Sequence, residues 1–282
     1  MIKLIECPRD AMQGLGNFIP TNLKVQYINL LLKVGFDTID FGSFVSPKAI
    51  PQMRDTLEVL EQLDLSNKNT KLLAIVANDR GINEAVKHSK ITYLGFPFSI
   101  SETFQKRNTN SSILQSISTI DELVLQCDKS GKLPVVYLSM GFGNPYGDEW
   151  NEEIILHYAG VLVEKGVKII SLADTIGIAN PRQIGSIFLH LSNYFKDIEF
   201  GVHLHSTPSS WQEKIEAAYT SGCKRIDSTI KGFGGCPMAT DVLTGNIATE
   251  NVISLLAEKG EFVNINKEKW REAFEFSSAV FH

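Results

Sequence analysis

The sequence predicts an α/β protein, a single (β/α)8 TIM barrel spanning residues 1–282, with extra helices at its C-terminal end. Three observations carry this. Strands of five or six mostly apolar residues alternate with helical stretches about eight times. No Gly-x-Gly-x-x-Gly turn follows the first strand, so an open doubly wound sheet is left as the structural alternative without its usual signature. Residues able to do chemistry gather just after the strands, where such a barrel builds its site. The length suffices for a sizeable core, and no low-complexity linker divides it.

Taken in order, Ile2 to Glu6 reads as the first strand and Cys7 to Gln13 as a loop, after which Thr21 caps a helix running to Val34. Gly35 stops that helix. Thr38 to Phe41 makes the second strand, Gly42 to Lys48 a loop, and a helix runs on from about Met53. The third strand, Lys71 to Val76, ends at Ala77 to Arg80, and a short helix, Ile82 to Ser89, precedes the fourth strand, Ile91 to Phe98. Ser99 to Asn110 reads as a loop. A longer helix from about Ser112 to Lys129 leads to the strand Val135 to Met140, the loop Gly141 to Gly147 and a helix from about Asn151 to Lys165. Lys168 to Ala173 is the sixth strand, and Pro181 starts the next helix. The seventh strand, from Ile198, ends in His203-Leu204-His205. Trp211 to Ser221 is helical, Arg225 to Ile230 is the last strand, and helices from Thr249 and Lys267 finish the chain.

Composition narrows the function. Hydrophobic content of 43%, charged content of 21% and a formal charge of -5 are ordinary for a globular protein and leave no basic footprint for nucleic acid or an anionic membrane. A small-molecule ligand is the expected partner. The N-terminus meets Glu6 and Pro8 too early for a signal peptide, and no apolar run approaches the roughly 20 residues of a membrane span, so a cytoplasmic protein is expected. Cys7, Cys127, Cys223 and Cys236 lack Cys-x-x-Cys spacing and read as free thiols.

The strand ends carry the chemistry. His203 and His205 stand two apart, so a continuous strand presents both imidazoles to one spot, where they can hold a divalent metal. Arg9 and Asp10 follow strand one, Asp40 and Ser43 strand two, Asn78 strand three, Asp174 and Thr175 strand six, and a glycine loop with Cys236 strand eight. A carboxylate with two imidazoles suits Mg²⁺, Mn²⁺ or Zn²⁺, and an oxygen-rich remainder favours the first two. Each piece has a plainer alternative: a salt bridge for Asp10, a loop cap for Asp40, an inert buried thiol for Cys236. Arg9 is suited to stabilising a carboxylate or an enolate oxygen, since its guanidinium stays charged and offers a rigid fork of donors. His88, His157, His190 and His282 read as surface or core residues. Gly141 to Gly147 lacks the Gly-Lys-Ser/Thr ending of a phosphate loop.

Arg9-Asp10, Ser43-Phe44-Val45-Ser46-Pro47-Lys48, Ser171 to Gly177, His203-x-His205, Gly234-Gly235-Cys236-Pro237 and Gly245-Asn246 together resemble the hydroxymethylglutaryl-CoA lyases over nearly the whole chain. These belong to a wider group of metal-dependent barrels that includes related synthases and aldolases. The resemblance implies a divalent cation, Mg²⁺ or Mn²⁺, held by Asp10, His203, His205 and Asn246, with no organic cofactor. It implies an acyl-CoA substrate cleaved to acetyl-CoA and acetoacetate, as in leucine degradation and ketone-body formation, and it allows a homodimer. Arg9 would stabilise the enolate, His203 or Asp10 would accept the proton, Cys236 would close over the site and transfer a proton, and Asp40 would support Arg9. Gln13, Ser43 and Thr175 would bind substrate. The chain departs from the family at Ser206, where an aspartate is usual, at the short Asp40 in place of glutamate, at Ala11-Met12 after Asp10, and in the bulkier Met238 to Thr244. A related aldolase or condensing enzyme, and an inactive barrel serving as a binding subunit, are the alternatives.

Overall fold

The computed structural model describes residues 2–66, 69–235 and 244–281. Eight parallel strands close into a barrel: β1 (Lys3–Glu6), β2 (Thr38–Ser43), β3 (Lys71–Ile75), β4 (Tyr93–Ser99), β5 (Leu133–Ser139), β6 (Ile169–Ala173), β7 (Glu199–His203) and, after a two-residue β8 (His205–Ser206), β9 (Arg225–Ser228), which pairs back onto β1. β10 (Gly245–Asn246) pairs antiparallel with β8 outside the barrel. The helices are α1 (Pro8–Gln13), α2 (Thr21–Val34), α3 (Thr56–Glu61), α4 (Asp79–Ala85), α5 (Glu102–Thr109), α6 (Ile113–Ser130), α7 (Glu152–Glu164), α8 (Pro181–Tyr194), α9 (Trp211–Thr220), α10 (Thr249–Glu258) and α11 (Lys267–Val280).

Alternation along the strands divides the core in two. Leu72, Ala74, Leu94, Val136, Leu138 and Ile170 face the helices, while Leu73, Ile75, Tyr93, Val135, Tyr137 and Ile169 fill the barrel interior. The interior also admits a wholly buried Arg225, because Gly201 on the neighbouring β7 leaves room: a Cβ there would lie 2.9 Å from Arg225 Cδ. Side-chain caps set the helix starts. Ser112 and Gln115 form a capping box on α6, Asn180 and Gln183 another on α8, and Pro181 occupies the first turn, where its missing N–H costs nothing. The extra C-terminal helix α11 returns to α2, Tyr27 stacking on Phe276 at 6.4 Å and meeting Phe281 edge-on at 5.8 Å.

The structure differs from the sequence reading at several points. Pro20, not Thr21, precedes α2, and the last strand stops at Ser228, with Ile230 opening a 3-10 turn. Cys7 to Gln13 is not a loop throughout; Pro8 opens the short helix α1. The expected loop Ser99 to Asn110 holds α5, capped by Ser101 accepting from Phe104 N. The segment from Met53 begins as a 3-10 turn, Pro51–Met53, before α3. His203 ends β7 and His205 begins β8, so one strand does not carry both.

Glu6, the last residue of β1, is wholly buried, and its carboxyl accepts from Ile230 N at 2.8 Å and Thr249 Oγ1 at 2.6 Å. Burial outweighs both bonds and pushes it from an ordinary 4.5 up to about 8. The fold therefore favours the protonated acid, and stability falls as pH rises from about 4.5 to about 8, by at most about 5 kcal/mol. Denaturant titrations of Glu6→Gln should match the parent at pH 4 and exceed it increasingly toward pH 8. A stability difference independent of pH would show that Glu6 does not titrate in this window.

Candidate functional site

The site lies at the C-terminal ends of β1, β2, β7 and β9. Because α1 starts directly after β1, Arg9 and Asp10 are held rigidly at the barrel mouth, both buried. Arg9 Nε reaches Asp40 Oδ2 at 3.0 Å and Nη2 reaches the same oxygen at 2.5 Å, while Nη1 donates to Asp10 Oδ1 at 3.1 Å and Gln13 Oε1 at 2.9 Å. Burial works against the guanidinium charge, but Asp40 and Asp10 outweigh it and hold Arg9 above its ordinary range. Burial pushes the Asp40 carboxyl up to about 6 against the pull of Arg9. Asp10 resolves the other way: burial raises it, yet Arg9, His203, His205 and a hydrogen bond from Asn246 together bring it down to about 2.

Around Asp10 stand the remaining expected residues. His203 Nε2 lies 3.9 Å from Asp10 Oδ2, Asn246 Nδ2 donates to Asp10 Oδ2 at 2.7 Å, and Gln13 Nε2 donates to Oδ1 at 2.8 Å. The rings of His203 and His205 are 5.3 Å apart, so the two face a common spot although they belong to different strands. One ligand atom each from Asp10, His203 and His205 lie within 4.8 Å of one another. Asn246 arrives through the β8–β10 pairing, where it sits opposite His205.

What stands behind each imidazole decides which nitrogen is free. His205 Nδ1 faces the Thr175 carbonyl oxygen at 3.1 Å, and a carbonyl only accepts, so Nδ1 carries the proton and Nε2 a lone pair. That Nε2 is buried and has no hydrogen-bond partner. Burial first, then the His203 charge, lowers the pKa of His205, so the ring stays neutral. His203 Nδ1 faces Asp227 Oδ2 at 3.2 Å, which likewise leaves Nε2 toward Asp10; burial lowers its pKa, but Asp227 and Asp10 outweigh that and raise it. Nε2 of each imidazole and the Asp10 carboxylate converge, and a divalent cation fits this donor set; Asn246 turns its amide N–H groups to Asp10 and Phe233 O, which leaves its Oδ1 as the atom that could ligate.

Other expected residues take different places. Ser43 Oγ is buried, 3.4 Å from Ile75 O, and accepts from Val45 N at 3.2 Å. Thr175 Oγ1 accepts from Met140 N at 2.8 Å, so its backbone carbonyl, through His205, is what bears on the cluster. Asp174 accepts from Ala179 N at 3.1 Å and Lys214 Nζ at 2.8 Å and bears on His205 through its charge, and Asn78 caps α4. Cys236 lies outside the described residues. His88 stacks on Phe44, and the exposed His190 pairs with Glu152. Asp227 and Lys214 were not foreseen. Arg225 and Asp227 alternate on one face of β9, a pattern that flags an inward carboxylate; Lys214 donates to Asp174, to Gly177 O and to His205 O at 2.8 Å, partners no local pattern reveals.

The family model described as HMGL-like matches residues 2–276. The chain is 32% identical over 262 residues to a hydroxymethylglutaryl-CoA lyase of Bacillus subtilis, covering 93% of this chain and 87% of that one. It is 31% identical over 278 residues to the mitochondrial hydroxymethylglutaryl-CoA lyase of Bos taurus, covering 98% and 84%. Among solved structures, an HMG-CoA lyase from Acinetobacter baumannii in complex with coenzyme A and 3-methylmalate superposes with a TM-score of 0.91 at 30% identity, covering 100% of this chain and 91% of that one. The Bacillus subtilis HMG-CoA lyase does so with a TM-score of 0.92 at 31% identity, covering 99% and 93%.

Calorimetry with Mn²⁺ should show binding that is lost in Asp10→Ala and His205→Ala while circular dichroism is unchanged; retained binding would remove the cluster as a cation site. Asp227→Asn should weaken Mn²⁺ by roughly 10- to 100-fold, since the group that orients His203 is then no longer an anion.

Proposed function

The chain belongs to the HMGL-like family, and from that premise we infer that it is a carbon–carbon lyase that cleaves 3-hydroxy-3-methylglutaryl-CoA to acetyl-CoA and acetoacetate. The observation that carries this reading is the buried, unpartnered Nε2 of His205 beside Asp10 and His203, with Arg9 fixed at the same carboxylate. A divalent cation, Mg²⁺ or Mn²⁺, held by Asp10, His203, His205 and Asn246 supplies Lewis acidity toward the tertiary hydroxyl.

The chain's own residues do the rest. The hydroxyl loses its proton, a ketone forms at that carbon, the adjacent carbon–carbon bond breaks, and its electron pair passes to the thioester as an enolate that protonation turns into acetyl-CoA. His203 or Asp10 accepts the first proton, and Asp10, held at about 2, is the weaker base of the two. Arg9, braced by Asp40, keeps a positive charge where the enolate oxygen develops. Gln13, hydrogen-bonded to both Arg9 and Asp10, lines the substrate side, with Ser43 and Thr175 shaping the strand ends around it. Cys236 donates the last proton. Gly234, two residues earlier in sequence, packs on the Asp10 backbone so closely that a Cβ would lie 2.8 Å from Asp10 O, which supports this role. Asp227 is a positioning residue for His203. Ser206 stands where the family usually has an aspartate, and Asp227 is the carboxylate that backs an imidazole here.

One catalytic domain over 1–282, a cytoplasmic location and a homodimer belong to the same proposal; no helix among the described residues is long and apolar enough to cross a membrane. An inactive barrel is disfavoured because Arg9, Asp10, Asp40, both histidines and Asn246 are not only present but joined in one network.

Purified protein supplied with hydroxymethylglutaryl-CoA should release acetoacetate with Mg²⁺ or Mn²⁺ and none with EDTA; absence of release while Mn²⁺ binding persists would overturn the substrate. Arg9→Lys should lower kcat by roughly a hundredfold or more with little change in KM, because an ammonium cannot reproduce the fork held by Asp40. Unchanged kcat would leave Arg9 a purely structural ion.

A further inference from the structure

Beneath the candidate cation cluster lies a second convergence of ligand atoms. Cys7 Sγ, a ring nitrogen of His203 and a carboxylate oxygen of Asp227 lie within 4.8 Å of one another. Strand pairing builds it: Cys7 directly follows β1 and donates its backbone N–H to Ser228 O at 2.9 Å, while Asp227 lies in β9 opposite Ile5. Cys7 and Asp227 are 1% and 2% exposed. Asp227 spends Oδ2 on His203 Nδ1, but its Oδ1 is buried without a hydrogen-bond partner. The Cys7 thiol is unbridged and reaches Ile5 O at 3.8 Å. The lyase reading uses neither Cys7 nor this free carboxylate oxygen.

We propose that Cys7, His203 through Nδ1, and Asp227 form a separate site for a soft divalent cation, Zn²⁺ or Cd²⁺. Thiolate selects such ions, whereas Mg²⁺ and Mn²⁺ prefer oxygen, so the donor sets on the two sides of His203 sort cations by softness. On binding, the Cys7 S–H bond breaks, its proton leaves to solvent, and the sulfur lone pair forms the metal–sulfur bond. His203 keeps one ring proton, on Nε2, as Nδ1 passes from Asp227 to the cation. One proton is released from Cys7, and a second from His203 where its ring starts as the imidazolium. A protonated Nε2 no longer offers a lone pair to the cluster around Asp10, so the two sites exclude each other. That antagonism rests on the assignment of His203 Nε2 to the outer cluster; soft-cation binding itself does not.

The test titrates the full chain with Cd²⁺, following thiolate-to-cadmium charge-transfer absorption in the near ultraviolet, and repeats it with Mn²⁺ present, reading released Mn²⁺ by electron paramagnetic resonance. The parent should show the band and release Mn²⁺. Cys7→Ser should lose the band, bind Cd²⁺ roughly tenfold or more weakly and keep its Mn²⁺ binding, while Cys236→Ser keeps the band. A band that survives Cys7→Ser, that disappears in Cys236→Ser, or that never forms in the parent would overturn the proposal. Should Cys7→Ser fail to fold, cadmium NMR of the parent decides: a shift for one sulfur among nitrogen and oxygen donors is expected, and a shift for nitrogen and oxygen alone overturns it. Failure of acetoacetate release leaves the band untouched, so the two readings fail separately.

Discussion

The site depends first on a guanidinium placed between two carboxylates in near-absence of water. Arg9, Asp10 and Asp40 are all buried, and a charge so placed is tolerable only with close partners of opposite sign. The geometry that supplies them is costly to arrange. It needs a helix beginning immediately after β1, and a β2 whose pairing with β3 slips between Asp40 and Gly42, an irregularity that sits at the residue gripping Arg9. Removing Arg9 leaves two buried carboxylates without their counter-ion, so the triad organises the barrel mouth as much as its chemistry. Electrostatics then divides the two acids. Asp10, within reach of Arg9 and the histidines, is strongly acidic, whereas Asp40, more deeply buried and with Asp10 and Asp227 opposing the pull of Arg9, is not.

A similar division separates the histidines. They share a residue type and nearly a position, yet one backs onto a carbonyl and the other onto a carboxylate. Both arrangements protonate Nδ1 and turn Nε2 outward, so the pair presents the same ring atom to the cluster with unequal basicity. Lys214 completes the frame beneath them, its ammonium donating to Asp174, Gly177 O and His205 O, which ties the loop after β6 to the start of β8.

Alternation of strand and helix was legible in the sequence because period and punctuation both announce it; Arg9, Asp10, His203 and His205 were legible from their places at strand ends, and Asn246 only through the resemblance. The rest was hidden for physical reasons. α1 is six residues long and opens with proline, too short to display a helical period. The break at Leu204 between β7 and β8 cannot be seen in His-Leu-His, where an unbroken strand predicts the same convergence by a different geometry. Asp227 shares a face of β9 with Arg225, but its partner His203 is fixed only once β9 closes between β1 and β7. The hydroxyl of Thr175 reads as a substrate contact, but a backbone N–H thirty-five residues earlier in the chain claims it. Such assignments belong to the tertiary structure, since each is settled by a partner distant in sequence.

Gly234 and Asn246 touch: a Cβ on the glycine would lie 3.0 Å from Asn246 Nδ2 and 2.8 Å from Asp10 O. Gly234 thus bears on the main chain of Asp10 and Asn246 on its carboxylate, so one residue is held by backbone and side chain at once from segments far away in sequence. Whatever tightens one of these contacts strengthens the other in equal free-energy measure, because linkage between two equilibria is reciprocal.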